Sequence, residues 1–378
     1  MFDDFFNPAV PFVAIDFSDE SIKVARARRR RGRRELLGVA RTDFPEGLMV
    51  EGRVQDASAM THVLREFFRS GPGKKLAAPG AAMTLPEEHC FVRISQVPNL
   101  PEAELHEAIR WEAESVIPLS PAEAVMSWEV LGPVMQPGSI QSPSQQGAGL
   151  YPAQPERLEV LIAGAPRQLA ASYADLLRAV GMTPVAFEPE SFAIARALIR
   201  DNDQAPTLLV DLGHDHTGII ITEGRRVRLT ANIPIAARTF TDRIAEARKI
   251  DREKAEAVKR EHGIVPEGEG LASRKVLEPV LDELVQHLHG YFSYFETHTQ
   301  GAQAGRDRAD APKIGHVILT GGDAMLKGLP EYLQEGIGVP VSVGDPFRDV
   351  AAAKAIPRHP LYTTAIGLAL YEVDRTEL

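Results

Sequence analysis

The sequence predicts a bilobal α/β protein whose two similar lobes present their tips to one cleft. Three observations carry that prediction. Residues 13–24 (VAIDFSDESIKV) and residues 208–219 (LLVDLGHDHTGI) state one pattern twice. Each has an aliphatic run, an Asp, a tight polar turn and a return to apolar residues, as in a β-hairpin with a carboxylate at its tip. Asp16 matches Asp211, Ser18 matches Gly213, and Lys23 matches Gly218. A third stretch, residues 316–329 (HVILTGGDAMLKGL), runs as an apolar strand into Gly321-Gly322 and then into a helix. At 378 residues the chain also exceeds one ordinary core.

These stretches suit an anionic ligand. Consecutive N–H groups in a turn make an anion-binding concavity. Paired glycines let a ligand approach the backbone, and a helix N-terminus favours negative charge. The formal net charge of −10 argues against broad nucleic-acid binding, which needs a basic face. Cys90 is the single cysteine, which excludes an intrachain disulfide and a cysteine-rich metal site. The N-terminus, MFDDFFNPAV, carries acids where a signal peptide would be basic. No segment approaches about eighteen uninterrupted apolar residues, so a cytoplasmic protein is expected.

The chain reads in order as follows. Strands are predicted at 13–17, 21–27 and 35–41, then a loop and a helix across 45–70 with Val63, Leu64, Phe67 and Phe68 on one face. Between Arg26 and Arg34 seven of nine residues are Arg, read either as a solvated hairpin tip or as a contact with anionic lipid. From Met83 to Phe187 the pattern is strand, helix, strand, gap, strand, helix, strand. The first helix spans 102–117, entered at Pro101 and ended by Pro118; the second spans 167–180 and ends at Gly181. The gap, 132–156, is rich in Pro, Gly, Ser and Gln and reads as a mobile loop. A helix at 188–200 and the second hairpin with its third strand over 207–234 follow. Two helical stretches over 239–262 split near Ile250-Asp251, and a longer helix covers 276–299. Strand 316–320, a helix near 328–336, a strand near 339–343 and a helix near 362–372 complete the chain.

The order hairpin, hairpin, strand–GlyGly–helix resembles the actin-like ATPase superfamily, with its ribonuclease H-like bilobal fold. The resemblance implies ATP and Mg²⁺ in a cleft between duplicated lobes. Asp16 and Asp211 would hold Mg²⁺ through water, since Mg²⁺ keeps several waters and uses few carboxylates; a pair of turn-favouring Asp residues is the alternative. Ser18, Ser21 and Lys23 would line the first phosphate loop, Gly213 and Thr217 the second, and Gly321 and Gly322 the adenosine side. Glu188, in EPESFAIARAL, aligns with a water-positioning Glu and joins Asp211 as a candidate catalytic residue; a helix N-terminal acid is the alternative. Glu256 and Lys259, at i and i+3, resemble the helix that packs on adenosine, against the alternative of a surface ion pair.

Two departures stand out. Ser18, Asp19 and Glu20 occupy a loop that is usually small and Gly-rich, and His214, Asp215 and His216 follow Gly213. Acids beside a polyphosphate cost roughly 4 kcal/mol at about 4 Å unless a cation offsets them. At most a slow ATPase is expected. A metal site on His214 and His216 lacks an evident third ligand.

Residues 102–119 (EAELHEAIRWEAESVIPL) and the stretch from LEVLIAGAPRQ to EPESFAIARAL across 158–198 resemble the PilM family of type IV pilus assembly proteins. The resemblance implies an adaptor peripheral to the inner membrane. It would bind the cytoplasmic N-terminal tail of a PilN-like membrane protein and other platform or motor components. Self-association and a lipid contact through Arg26–Arg34 are further expectations; nucleic acid is not. The expected domains are 1–84 (first lobe), 85–187 (inserted β-α-β subdomain), 188–205 with 360–378 (rest of the first lobe) and 206–359 (second lobe). FtsA, a polymerising division adaptor with a comparably placed insertion, is the runner-up; its basic terminal helix is not seen after LALYEVDRTEL. A sugar kinase would need a catalytic Asp in a sugar pocket, and a degenerate scaffold would bind no nucleotide.

Overall fold

The apolar run Phe12–Ser18 forms strand β1; the chain turns at Asp19-Glu20 into β2 (Ser21–Arg30) and at Arg31-Gly32 into β3 (Arg33–Asp43). In the computed structural model, which describes residues 10–134, 157–302 and 313–375, these strands form the centre of a six-stranded sheet. A short pair, β4 (Met49–Val50) and β5 (Arg53–Val54), leads to α1 (Ala57–Arg69). Asp56 starts that helix by accepting a hydrogen bond from the Ala59 amide. Strand β6 (Gly80–Leu85) then lies parallel to β1.

A separate antiparallel sheet follows, built from β7 (Phe91–Pro98), β8 (Ala124–Pro133) and β9 (Arg157–Pro166) in the spatial order β7-β9-β8. Helix α2 (Glu102–Val116) buries Ile109 and Ala113 against Val97, Val160 and Ile162 of this sheet. Helix α3 (Arg167–Ala179) and β10 (Thr183–Pro189) belong elsewhere. Strand β10 pairs with β6, and Leu169, Tyr173 and Leu177 share a core with Leu64 and Phe67 of α1. The inserted unit therefore runs over 91–166, narrower than the expected 85–187. A β-α-β pattern reads identically whether its last strand joins the insert or the parent sheet; only the pairing decides. Of the expected mobile loop, residues 135–156 lie outside the described residues.

Helix α4 (Glu190–Leu198) begins directly after Pro189. Strands β11 (Pro206–Leu212), β12 (Thr217–Glu223) and β13 (Arg226–Ile233) repeat the first hairpin and its third strand. Helices α5 (Ala237–Arg248), α6 (Arg252–His262) and α7 (Gly268–Ala302) come next. Strand β14 (His316–Gly321), α8 (Leu329–Ile337) and β15 (Val341–Val343) complete a five-stranded sheet of order β13-β12-β11-β14-β15. Both sheets thus flank a central strand with an antiparallel hairpin partner and a parallel neighbour. Helix α7 starts eight residues before the predicted 276, because Gly268 and Gly270 read as loop. A Cβ at Gly270 would meet the His262 carbonyl at 2.9 Å, so glycine is what lets α7 lie against the end of α6.

The chain returns to the first sheet through β16 (Ala351–Ala352), parallel to β3, and α9 (Thr363–Arg375), so the return begins by 351 rather than 360. Side-chain alternation along a strand sets what each face of the two sheets carries. Val13, Ile15 and Phe17 join the core under α1 and α3, whereas Phe12 and Ala14 join Ala365, Ile366 and Ala369 of α9. In the second sheet Leu208, Val210 and Leu212 join α5 and α7, whereas Leu209 packs on Ile194, Ala195 and Leu198 of α4. Asp16 and Asp211 continue the alternate positions, those directed toward α4 and α9 between the lobes. The inserted sheet touches the second lobe: Val92 and Leu161 share a cluster with Val227, and Arg228 donates to Glu159 at 2.9 Å and to its own strand neighbour Glu223 at 2.6 Å. Among the described residues no helix is long and apolar enough to cross a membrane.

Helices α4 and α9 cross at Gly367, where an added Cβ would collide with the Ala193 carbonyl. Overpacking of a tight backbone crossing costs about 1–3 kcal/mol or more. Gly367→Ala should therefore lower the thermal midpoint by several degrees, read by circular dichroism. An unchanged midpoint would mean the crossing is loose.

Candidate functional site

The two hairpin tips and the GlyGly turn meet at one cleft. On the first tip, Asp16 and Lys23 are opposite residues of β1 and β2, and Lys23 Nζ donates to Asp16 Oδ2 at 3.2 Å. Thr84 of β6 donates to Asp16 Oδ1 at 3.0 Å, so both oxygens of a carboxylate only 4% exposed are engaged. Ser18 and Ser21 close the turn with their hydroxyls 2.9 Å apart.

On the second tip Asp211 lies opposite Gly218, where the first has Lys23, and its carboxylate makes no hydrogen bond to a described residue. Gly321 beside it has φ +91°, and a Cβ there would sit 2.6 Å from Asp211 Oδ1 and 2.5 Å from the Leu212 carbonyl. Only glycine meets both demands. A Cβ at Gly322 would meet open space instead. Burial first, and then the negative charge of Asp16, push the Asp211 carboxyl up to about 6, against the opposing pull of His216 and Lys23. The two aspartates therefore lie near enough for one charge to act on the other.

The second loop spends much of its polarity on structure. The Gly213 carbonyl accepts from the Ala237 amide at 3.0 Å and the His214 carbonyl from the Arg238 amide at 3.1 Å, which caps α5. A Cβ at Gly213 would lie 2.7 Å from the His216 carbonyl. The buried Thr217 hydroxyl donates to the Ile235 carbonyl at 2.5 Å and is spent on the fold.

The acids that departed from the superfamily pattern are occupied. Asp19 accepts from the Glu51 and Gly52 amides at 3.0 and 3.1 Å, turned to the β4–β5 loop rather than into a phosphate nest. Glu20 lies 3.1 Å from His214 Nε2, joining the first tip to the second. His216 Nδ1 lies 4.0 Å from Glu88, and Asp215 pairs with Arg238 at 3.3 Å.

Glu188 does not face the aspartates as a free acid. Arg196 donates to its two oxygens at 2.6 and 2.8 Å, donates to the Gly367 carbonyl at 2.9 Å, and lies over the Tyr371 ring. This is a clamp between α4 and α9. The acid beside the aspartates is Glu190, whose carboxyl is raised well above the usual carboxylate range by burial, then by Asp16, Asp211 and Glu87. Glu87, buried, accepts from the Ser191 amide at 3.0 Å and is also raised by burial. The turn from strand to helix at Pro189 parts the two glutamates, and a helix-start rule alone favours them equally.

Glu256 and Lys259 form a buried knot rather than a solvated pair. Lys259, 1% exposed, places Nζ 2.6 Å from Asp323, 2.9 Å from Glu256 and 3.2 Å from the Ala237 carbonyl. The knot ties α6 to α5 and to the residue after Gly322. Asp323 escaped the sequence reading; its position directly after GlyGly was the available signal. Burial alone would raise Glu256, but Lys259, with hydrogen bonds from Thr241, Lys259 and Arg260, outweighs it and brings the carboxyl to about 2.

Two outcomes follow for the protein alone. Glu188→Gln breaks a mostly buried pair and should cost roughly 3 kcal/mol of stability in urea unfolding, whereas Glu190→Gln relieves repulsion and should not lower stability. A carboxyl held below its unfolded value stabilises above that value and loses the effect as pH falls toward its folded value. Glu256→Gln should therefore cost roughly 2 kcal/mol at pH 7, with the gap to the unmutated chain closing as pH drops from about 4.5 toward 2. A gap independent of pH would contradict the assigned charge.

Comparison with known proteins accords with this fold. A family model described as type IV pilus assembly protein PilM matches residues 14–373. A solved PilM–PilN type IV pilus biogenesis complex is similar to this chain with a TM-score of 0.74 and 25% identity, covering 96% of this chain and 99% of that one. MreB5 of Spiroplasma citri bound to AMPPNP shares the fold, with a TM-score of 0.54 and 13% identity over 98% of each chain. Cell division protein FtsA of Pseudomonas aeruginosa is 30% identical over 200 residues, 47% of this chain and 45% of that protein. The chain thus spans a little under half the length of the curated relatives it matches. The fold is actin-like, and since the family match runs from the first hairpin to the last helix, the chain belongs to the PilM family of type IV pilus assembly proteins.

Proposed function

We propose that this chain is an ATP-binding adaptor of a type IV pilus, or related type II secretion-like, assembly platform. The observation that supports it most is the meeting of the two hairpin tips, Glu20 3.1 Å from His214, with Asp16 and Lys23 on one and Asp211 against Gly321, beside the open backbone of Gly322, on the other. Phosphates would lie against the amides of the two turns, beside Lys23, with the adenosine toward Gly321-Gly322 and the Glu256–Lys259 knot behind it.

The residues fit a hydrated Mg²⁺. Asp211 has an uncommitted carboxylate raised by burial and then by the neighbouring Asp16 charge, and a cation beside it would lower it. Asp16, already held by Lys23 and Thr84, would act through water. Mg²⁺ supplies charge neutralisation for the phosphates. For any turnover, Glu190 rather than Glu188 is the acid suited to orient water.

The partner is the cytoplasmic tail of a PilN-like protein, supported by the solved PilM–PilN complex, with other platform components beyond it. The chain would sit at the inner membrane through that partner. Entry of phosphates would displace the Glu20–His214 contact that joins the tips, so bound and free states differ in contacts across the cleft. That same contact favours a second reading, a scaffold with a self-closed cleft that takes no nucleotide.

Thermal unfolding with Mg²⁺ and ATP separates the two. At 100 times its dissociation constant the nucleotide should add about 2.7 kcal/mol, and Asp211→Ala should abolish the gain. No shift in the unmutated chain, alongside a shift with the tail peptide, would favour the scaffold.

A further inference from the structure

The arginine run lies at the end of the β2–β3 hairpin, which projects past its sheet. Strand β1 pairs with β2 only as far as Ala25, and β16 meets β3 at Glu35 and Leu36. The stretch from Arg28 to Arg34 is therefore a two-stranded arm. Its ladder sets Arg29 opposite Arg34 and Arg30 opposite Arg33. Like charges directly opposite destabilise a strand pair.

The turn adds to that cost. Arg31 has φ +51° and Gly32 has φ +75°, a two-residue turn that favours Asn-Gly or Gly-Gly. Arginine gains no local hydrogen bond from a left-handed conformation. Neighbouring acids neutralise only part of the charge. Arg28 and Arg30 share Glu35 at 2.8 and 3.8 Å, and Arg34 lies 3.7 Å from Asp201. Arg31 and Arg33, both exposed, have no ion-pair partner among the described residues. Local stability is given up at several positions to keep positive charge at one tip, on a chain whose formal net charge is −10.

We infer that this arm docks on anionic lipid headgroups. A hairpin two strands wide offers no hollow to enclose a peptide; it presents guanidinium groups on a convex end, which matches a plane of phosphates. The acidic remainder of the chain would be repelled by that plane, so contact through the arm also sets orientation. The inference is independent of whether the cleft holds a nucleotide.

Co-sedimentation of the full chain tests it, using phosphatidylcholine vesicles and vesicles in which a third of the lipid is phosphatidylglycerol. Binding should require the anionic lipid and weaken as salt rises. Arg31→Asn/Arg33→Gln should weaken it about fivefold per arginine removed. Asn suits the turn better than Arg, so this variant should melt no lower than the unmutated chain, which separates lost docking from lost fold. Unchanged sedimentation of the variant, equal binding to both vesicles, or tighter binding of duplex DNA or poly-glutamate at the same salt would overturn the inference.

Discussion

The closeness of Asp16 and Asp211, whose charges bear on each other, is the constraint on which the arrangement of the cleft depends. The two lobes answer it differently. The first holds Asp16 with Lys23 and Thr84, so its charge is balanced within the lobe. The second puts Gly218 where the first has Lys23 and leaves Asp211 raised to about 6. Glu190 and Glu87, raised in the same direction, extend the imbalance along the start of α4. One lysine, Lys23, acts among these four acids, so the region is short of positive charge among the described residues.

Much of this was legible in the sequence wherever the signal is local. The two hairpins, the matched aspartates and the break between α5 and α6 were readable because Asp16, Asp211 and Asp251 announce turns and caps; Asp251 accepts from the Lys254 amide at 2.8 Å. The unreadable parts depend on partners distant in the chain. Glu188 looked like the acid of the cleft until Arg196, itself held by the Gly367 carbonyl 171 residues on, donated to both its oxygens. Asp19 looked like an obstacle to phosphate until the Glu51 and Gly52 amides, 32 and 33 residues on, took its carboxylate. The edge of the inserted unit was likewise set by the pairing of β10 with β6, which no residue of β10 encodes alone.

The crossing of α4 and α9 carries the lobes. Ala193 and Gly367 allow the backbones to touch, Arg196 fastens the pair, and the opposite side of α4 packs on Leu209 and Ile220 of the second sheet. Aliphatic packing on both faces of one nine-residue helix makes it the shared wall of the two halves. Glu190, the one acid of its first turn, lies near both aspartates at the end of that wall, so any change of angle between the lobes moves it relative to at least one of them.

Arg228 has a consequence of its own. Its guanidinium grips Glu159 of the inserted sheet with one nitrogen and Glu223 of the second lobe with another. The insert grows out of the first lobe yet is bolted to the second, like a strut spanning a hinge. A load applied to that strut would be transmitted past the hinge without entering the cleft. Were the angle between the lobes to change, Arg228 would have to release Glu159 or carry the insert with it.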